Sequence, residues 1–293
     1  MPDHASANAA APVPVIVCAD DYGLSPGVGE AIAGLIAAGR LSATGCMTAS
    51  PYWPEQAGWL RGLDADVGLH LTLTDQAPAG PMPALAPHGR LPPLKRLLRD
   101  AHTGRLAAHA AEVRAEVARQ LDRFEDERGA APDFVDGHQH VHLLPVVREA
   151  VLAEIAARYP AGRVWLRDCA EPPQSVLARG VAPAKALFIA WLARRLAARA
   201  RALGIPVNRG FRGVYDLRPG HDFGRLFRAF LAPARPCALI MVHPARPDAV
   251  LAGLDPVVEA RHAEHDWLAS ADCAAALAEA GVRPARLRAA PSP

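Results

Sequence analysis

Short apolar runs that are rich in β-branched residues alternate along this chain with longer helical stretches, and this alternation restricts the fold. The first run is Val13–Ala19, and a helix is predicted to follow over Pro26–Ala38, with Ser25 as its N-cap. The same pattern gives about seven or eight strands, and strands that alternate with helices pair in parallel. We therefore predict an α/β fold. Closure into a (β/α) barrel, distorted or seven-stranded, fits 293 residues better than an open sheet.

The other elements are predicted from the same alternation. Strands are expected over Ser42–Ala49, Asp66–Thr74, Asp133–His138, Arg163–Arg167 and Ala238–Val242, and helices over Ala107–Arg128, 145–158 and Lys185–Leu203. Two helices and a short strand near Val282 should complete the chain, while residues 207–215 are ambiguous. Residues 75–95 are rich in proline and are predicted to form a long loop, which is typical of a functional loop.

Composition limits the class of protein. Hydrophobic residues make up 51% of the chain, too many for disorder, and no linker divides it, so we predict a single barrel domain over residues 14–290 after a disordered tail over residues 1–13. The formal net charge of +2 and the 5% of aromatic residues argue against nucleic-acid binding. Five dispersed cysteines, no secretory signal and no apolar run of about 18 residues predict a cytoplasmic protein.

Carboxylates and imidazoles follow several predicted strands, at the edge where chemistry gathers in parallel α/β folds. They are Asp20 and Asp21 after the first strand, His70 in the third, Asp136, His138, His140 and His142 at the end of the fourth, and His243 after the apolar strand near the end. Two adjacent buried carboxylates repel each other, and a cation beside them removes that cost. If the fourth strand continued, its three histidines would share one face, with Asp136 placed to orient one of them.

A metal site is one interpretation of these strand ends. One carboxylate and two imidazoles would leave positions on an ion open for water, and the second carboxylate could accept a proton from that water. This combination is typical of metal-assisted hydrolysis. Simpler interpretations are helix capping by the acidic pair, a structural role for His70 and a solvated loop for the three histidines. An iron oxygenase also uses two histidines and one carboxylate, and a sugar or metal sensor would bind without turnover.

A serine esterase is a further alternative, because Gly23–Gly27 matches the G-x-S-x-G pattern between a strand and a helix. The oxyanion hole of such enzymes uses the backbone N–H of the residue after the nucleophilic serine. Here that residue is Pro26, which has no N–H. Ser25 therefore fits a helix N-cap better than a nucleophile.

Four segments surround the polar strand ends. They read VIVCADDYGLS with Asp20 and Asp21, VGLHLTL with His70, DGHQHVH from Asp136 to His142, and MVHP with His243. Together they resemble the YdjC-like carbohydrate deacetylases, a family that includes chitooligosaccharide deacetylases and deacetylases associated with hopanoid biosynthesis. The resemblance implies a (β/α)-barrel-like fold and metal-dependent removal of N-acetyl groups from amino sugars, with release of acetate.

The resemblance also implies roles for individual residues. Asp21, His70 and His138 match the metal ligands, Asp20 matches the general base, and His243 is assigned as general acid or oxyanion stabiliser. One divalent ion, Mg²⁺ or Zn²⁺, is expected. Two imidazoles favour a softer ion than magnesium, which prefers oxygen. Asp136, His140 and His142 are expected to line the site or to orient its ligands.

The expected partner is an N-acetylated sugar or a glycolipid, including hopanoid-linked amino sugars. The alternative is another hydrolase, such as a phosphoesterase or an amidohydrolase, that uses the same three metal ligands. Residues 179–212 contain arginine and no acidic residue, which suits either a solvated helix face or contact with an anionic membrane surface. Phe211 and Tyr215 are placed to stack on a sugar or to pack in the core. Tyr22 and Gly137 replace a phenylalanine and a serine that are frequent in the family, which is compatible with a different substrate. A homodimer is left open.

Overall fold

The computed structural model of this chain describes residues 11–233 and 235–287. Most of the predicted disordered tail, residues 1–10, lies outside the described residues, and so do residues 288–290 at the end of the predicted domain. Val13, the last residue of that predicted tail, is already the first residue of strand β1.

Eight strands of the described residues form one sheet in which every pairing is parallel. They are β1 (Val13–Tyr22), β2 (Ala43–Cys46), β3 (Asp66–Leu71), β4 (Phe134–Gly137), β5 (Trp165–Leu166), β6 (Phe211–Arg212), β7 (Leu239–Val242) and β8 (Val282–Pro284). Their order is β5-β4-β3-β2-β1-β7-β6, and β8 pairs with the first residues of β1. An isolated bridge between Leu166 and Val207 brings the segment before β6 against β5, so the sheet curls towards closure. The predicted α/β fold, a (β/α) barrel that is distorted or seven-stranded, is confirmed: seven strands form the curled sheet, and among the described residues β8 pairs only with the start of β1.

Helices connect the strands. They are α1 (Pro26–Ala37), α2 (Trp53–Gln56), α3 (Leu94–His102), α4 (Ala110–Arg128), α5 (Val147–Arg158), α6 (Pro173–Arg179), α7 (Pro183–Ala193), α8 (Leu196–Ala202), α9 (Phe223–Leu231), α10 (Ala249–Leu254), α11 (Glu259–Ala269) and α12 (Ala271–Glu279), with 3₁₀-helices over Ala57–Leu60, Arg105–His109 and His138–Leu143. The predicted helix over Lys185–Leu203 is divided in two. The backbone N–H of Arg194 donates to the carbonyl of Trp191, three residues back, and this tighter turn ends α7.

The junction between β1 and α1 follows the sequence prediction. Ser25 caps α1 because its hydroxyl oxygen accepts a hydrogen bond from the backbone N–H of Val28, and Pro26 is the first helical residue. The same hydroxyl donates to Oδ2 of Asp248 at 2.6 Å, and Ser25 is fully buried. A buried hydroxyl that is engaged in this way is not available as a nucleophile, so the esterase interpretation of Gly23–Gly27 loses its support.

The strands β2, β3 and β4 are buried along their whole length, and β1 is buried from Val15 onwards. Strands of a parallel sheet are covered on both faces, so this burial is expected. Polar side chains at their carboxyl ends therefore lie in a largely apolar surrounding, where charges interact strongly. Among the described residues, no helix combines the length and the apolar character that a membrane span requires.

Candidate metal centre

Three side chains converge at the carboxyl ends of β1, β3 and β4. Oδ1 of Asp21 lies 2.8 Å from Nδ1 of His138 and 3.3 Å from Nε2 of His70. One ligand atom from each residue lies within 4.8 Å of the other two. Asp21 and His70 are buried, whereas the side chain of His138 is 15% exposed, so the cluster meets solvent on the His138 side.

An irregularity near the end of β1 brings both carboxylates to one cavity. The pairing of β1 with β2 shifts register between Ala19 and Tyr22, and Asp21 has a φ of 68°. Successive residues of a regular strand point to opposite faces, whereas a bulge re-aims one of them. Asp20 and Asp21 therefore line the same cavity although they are adjacent in sequence. A left-handed conformation at a residue other than glycine is uncommon, and such residues cluster at functional sites.

His70 is held in place by Asp136 in the neighbouring strand. Nδ1 of His70 lies 2.6 Å from Oδ1 of Asp136, so Nε2 is the ring nitrogen that faces Asp21. Burial by itself would lower the pKa of His70, but the charge of Asp136 raises it to about 10. Gly45 makes room for this contact, because a Cβ there would lie 2.9 Å from Nδ1 of His70. The sequence predicts that Asp136 orients a histidine of its own segment; in the structure the hydrogen bond goes to His70 instead.

The three histidines after β4 do not share a face. The strand ends at Gly137, and His138–Leu143 forms a 3₁₀-helix in which Gln139 and His140 have φ values of 52° and 61°. The expected common face assumed that the strand continued, and it is wrong because the backbone leaves the extended conformation at this point.

Only one of these histidines joins the ligand cluster. His138 faces Asp21, and His140 lines the cavity next to it. His142 is fully buried, with its Nε2 3.0 Å from the backbone carbonyl of Arg167. Burial lowers the pKa of His142 to about 4, so it is a neutral residue of the core. The predicted role of His142 at the site is therefore at most an indirect one.

Arg167 is a central residue that sequence analysis missed. Its Nη1 and Nη2 atoms donate to the two carboxylate oxygens of Asp20 at 2.7 and 2.5 Å. Nη2 also lies 2.5 Å from Oδ2 of Asp136 and 3.1 Å from Sγ of Cys18. Burial would raise the pKa of Asp20, but the charge of Arg167 holds it well below its usual range.

The guanidinium of Arg167 also decides between two candidate ion sites. Ligand atoms of Cys18, Asp20 and Asp136 lie close enough together to hold an ion. A buried cation already contacts all three of them, so a second cation there would be repelled. The cluster of Asp21, His70 and His138 is therefore the better metal site.

Arg261, the second residue that sequence analysis missed, binds the other carboxylate of the acidic pair. Its Nη2 atom lies 2.6 Å from Oδ2 of Asp21 and 2.5 Å from Oδ2 of Asp255. Burial would raise the pKa of Asp21, but the charge of Arg261 holds it well below its usual range. The other oxygen of Asp21, Oδ1, contacts His70 and His138. No sequence signal marks Arg261, which is one of many arginines in helical segments.

His243 lies beyond the end of β7 and lines the same cavity. Its backbone N–H donates to Oε2 of Glu264, and its Nδ1 lies 3.8 Å from Oε1 of that carboxylate. Tyr215, which also lines the cavity, donates its hydroxyl to Oε1 of Glu264 at 2.6 Å. Phe211 packs behind His140, edge to face, with ring centroids 5.4 Å apart. Tyr215 and His243 thus line the cavity, whereas Phe211 does not and lies behind His140.

The cavity has a volume of about 630 Å³ and a mixed lining. Its polar lining includes the acidic pair, the histidines and Arg261, together with Asp75, Gln76, Arg90, Gln139, Lys185 and Asp255. Its apolar lining consists of aliphatic and aromatic side chains from several helices and loops, namely Leu24, Leu94, Leu98, Leu144, Phe188, Ile189, Leu192, Val214, Leu217, Met241, Leu254 and Val257. A ligand that fills this space would need a polar part and an apolar part.

The donor set fits a divalent ion. Two imidazole nitrogens and one carboxylate oxygen face each other, and none of the three atoms is tied to a further residue that would block an ion. Nε2 of His70 and Oδ1 of Asp21 are 3.3 Å apart, close to the spacing of about 3.3 Å between two ligands of a tetrahedral zinc with bonds of about 2.0 Å. Asp136 supports His70 from behind, as carboxylates commonly do for metal-ligating histidines.

Comparisons with known proteins identify a family and several similar proteins. The model of a family described as YdjC-like protein matches residues 14–279. The chain is 35% identical over 145 residues to a chitooligosaccharide deacetylase of Enterobacter sp. (strain 638), which covers 49% of this chain and 56% of that protein. It is 32% identical over 152 residues to a carbohydrate deacetylase of Mus musculus, covering 50% and 48%. The chain thus spans about half the length of the curated relatives it matches.

A solved structure has a similar fold. It is that of a protein of Enterococcus faecalis V583 described as a candidate for cellobiose-phosphate cleavage, with a TM-score of 0.68 and 20% sequence identity. The superposition covers 95% of this chain and 98% of that one. At this level of identity, the similarity concerns the fold alone.

Proposed function

The chain belongs to the YdjC-like family, and on that premise we propose that it is a metal-dependent hydrolase that removes the N-acetyl group from an N-acetylated amino sugar. One observation carries the proposal: Asp21, His70 and His138 face one another beside a further carboxylate, Asp20, in a cavity that can admit a substrate. The names of the curated relatives, which are carbohydrate deacetylases, support the same reaction.

Asp21, His70 and His138 would hold the ion. A bound divalent ion would polarise the acetamide carbonyl and lower the pKa of a water beside it. Two imidazoles favour zinc over magnesium, which prefers oxygen ligands. Arg261 occupies Oδ2 of Asp21, which leaves a single oxygen of that carboxylate for an ion and keeps room for water and substrate.

Asp20 is proposed as the general base. Arg167 fixes both of its oxygens, and each oxygen retains a lone pair that can accept a proton from the attacking water. The lowered pKa of Asp20 keeps it ionised at neutral pH. His243 is proposed to assist at the oxyanion or to protonate the leaving nitrogen, since it lines the same cavity as the acidic pair.

The apolar lining of the cavity favours one class of substrate. Helices α3 and α7 contribute aliphatic side chains to this lining, among them Leu94, Leu98 and Leu192. Hydroxyl groups of a plain oligosaccharide that lie against these side chains would be desolvated without compensation. We therefore favour an amino sugar linked to an apolar group, a class that includes hopanoid-linked glycolipids.

The basic region 179–212 would suit such a substrate. Exposed apolar residues lie in or beside it, with Phe188 48%, Trp191 46% and Leu203 46% exposed among arginines. Together these features support peripheral contact with an anionic membrane surface. A cytoplasmic location remains a prediction from the sequence, and a homodimer is left open.

The proposal is tested by acetate release. We expect zinc-loaded protein to release acetate from N-acetylglucosamine linked to an alkyl chain faster than from a chitooligosaccharide. Asp20→Asn should lower the rate by about 10²–10⁴-fold, the usual contribution of a general base, while one ion stays bound. Asp126→Asn, which removes an exposed carboxylate on α4, is the matched control and should retain the wild-type rate. Undiminished release by Asp20→Asn would remove Asp20 from the mechanism, and oxygen consumption with iron would favour an oxygenase instead.

A further inference from the structure

A second cavity, with a volume of about 1000 Å³, lies where β5 and β6 approach each other. Asp168 and Glu171 after β5, Arg209 and Gly210 before β6, and helix α7 contribute to its lining. Among the described residues, the only β-type contact between these two parts of the sheet is the single bridge between Leu166 and Val207. The second cavity therefore lies where neighbouring strands of the barrel are joined by the fewest contacts. It shares no lining residue with the cavity of the metal centre.

Helix α7 separates the two cavities because its opposite faces line them. Leu187, Ala190, Trp191 and Arg194 follow the spacing of one helix face and line the second cavity. Lys185, Phe188, Ile189 and Leu192 lie on the other face and line the metal-centre cavity. A ligand in the second cavity would thus be separated from the proposed substrate by the width of one helix.

Arginines without an acidic partner distinguish the second cavity. Arg194, Arg201, Arg209 and Arg235 line it, and none of the four forms an ion pair with a carboxylate of the described residues. Arg199, which lies between two of them in sequence, does form such a pair, with Glu149 at 2.7 Å.

The two acidic residues of the lining do not balance this charge. Glu171 is already bound by Arg179 at 2.8 Å, and its Oε2 accepts the backbone N–H of Phe211. Asp168 accepts the backbone N–H of Ala170, and it is the one other acidic residue in a lining that contains four arginines. The second cavity therefore has an excess of positive charge.

One of the arginines is held in a defined position. The guanidinium of Arg194 lies 4.2 Å from the centroid of the Trp191 ring, and its Nη1 donates to the backbone carbonyl of Trp191 at 2.6 Å. An arginine that is oriented in this way loses less conformational entropy when it binds an anion. Leu187, Ala190 and Pro236 provide an apolar surface beside it.

We propose that the second cavity binds an organic phosphate. The arginines hold the phosphate group through charge-assisted hydrogen bonds, which arginine forms readily with phosphate oxygens. The carbon skeleton of the ligand lies on the apolar surface of α7 and Pro236. A soluble phosphate ester and the phosphodiester headgroup of a lipid share this chemistry. The site is independent of the metal centre, since no residue of the metal centre takes part in it.

The test compares two charge-matched double variants. Arg201→Gln/Arg209→Gln removes two arginines of the second cavity, and Arg105→Gln/Arg225→Gln removes two exposed arginines outside it. Binding of glycerol 3-phosphate is measured by calorimetry, and binding to vesicles that contain phosphatidylglycerol is measured by flotation. We expect the cavity variant to bind at least about tenfold more weakly than wild type, and the control to stay within about twofold.

The two probes separate the sources of the phosphate. A selective loss with glycerol 3-phosphate supports a soluble ester, and a selective loss with vesicles alone supports a lipid headgroup. If the first cavity variant does not fold, Arg194→Gln/Arg235→Gln replaces it. The proposal is overturned if wild type binds neither probe, or if the control variant loses as much binding as the cavity variant. None of these results depends on the metal centre, so they are distinct from failure of the deacetylase proposal.

Discussion

Replacement of Arg167 by glutamine should destabilise the folded protein strongly. The guanidinium is fully buried and contacts Asp20 at 2.5 and 2.7 Å and Asp136 at 2.5 Å. Both carboxylates are also buried, so the variant would leave Asp20 without its guanidinium partner and Asp136 with His70 as its remaining partner. Removal of one partner of a buried ion pair typically costs about 3–5 kcal/mol in the free energy of unfolding. We expect a loss in this range for Arg167→Gln in the presence of a chelator.

The pH dependence of this loss has a definite sign. In the wild type, Arg167 lowers the pKa of Asp20, so the stabilisation is present above the unfolded pKa of about 3.9 and is lost only as the pH falls through the lower folded value. In the variant, burial still raises the pKa of Asp20, and the strongest charge that opposes this effect is gone. The free-energy cost of keeping Asp20 ionised in the folded protein then increases as the pH rises. The loss caused by Arg167→Gln should therefore be larger at pH 8 than at pH 5.

Urea denaturation followed by circular dichroism measures both effects. The matched control is Arg228→Gln, which breaks an ion pair with Glu279 whose side chains are 45% and 67% exposed. Such a surface pair contributes about 0–1 kcal/mol. An equal loss of stability in the two variants, or a loss for Arg167→Gln that is independent of pH, would refute the reasoning.

Two further substitutions test other parts of the structure. Burial raises the pKa of Asp168 to about 6, so the contribution of this carboxyl to stability is present at low pH and is lost as the pH rises through 6. Asp168→Asn should therefore raise the free energy of unfolding at pH 8 by up to about 3 kcal/mol. At pH 4 the same substitution should change the free energy of unfolding little. Equal effects at both pH values in urea titrations would contradict this. Gly45→Ala places a Cβ 2.9 Å from Nδ1 of His70 and should weaken zinc binding about 10–100-fold in calorimetry, whereas Gly34→Ala, where a Cβ meets nothing within 4 Å, should not. Unchanged affinity of the Gly45 variant would show that the contact between His70 and Asp136 does not need this glycine.

Sequence patterns predicted those parts of the fold that depend on local chemistry. Ser25 and Pro26 fixed the start of α1 correctly because a cap and an N-terminal proline act on their own turn. The buried strands were placed because apolar runs between turn residues are a local signal. The strand ends indicated a larger group of acidic and histidine side chains, since parallel strands bring their carboxyl ends to one edge. The family resemblance then singled out Asp21, His70 and His138 within that group.

Interactions between distant residues were not predicted. Arg167 and Arg261 reach the acidic pair across 147 and 240 residues, and no periodicity marks an arginine that will be buried. Arg167 did carry a weak signal, because it is the last residue of a predicted strand. The turn at Gln139 and His140 was not predicted. Both residues have positive φ angles, and neither residue type is a strong signal for that conformation.

Anomalous scattering at the zinc edge from crystals of the zinc-loaded protein tests the central claim most directly. The account predicts a single strong peak about 2.0–2.2 Å from Oδ1 of Asp21, Nε2 of His70 and the ring nitrogen of His138, with Asp20 outside bonding distance. An ion bound among Cys18, Asp20 and Asp136, or no ion at either cluster, would contradict it.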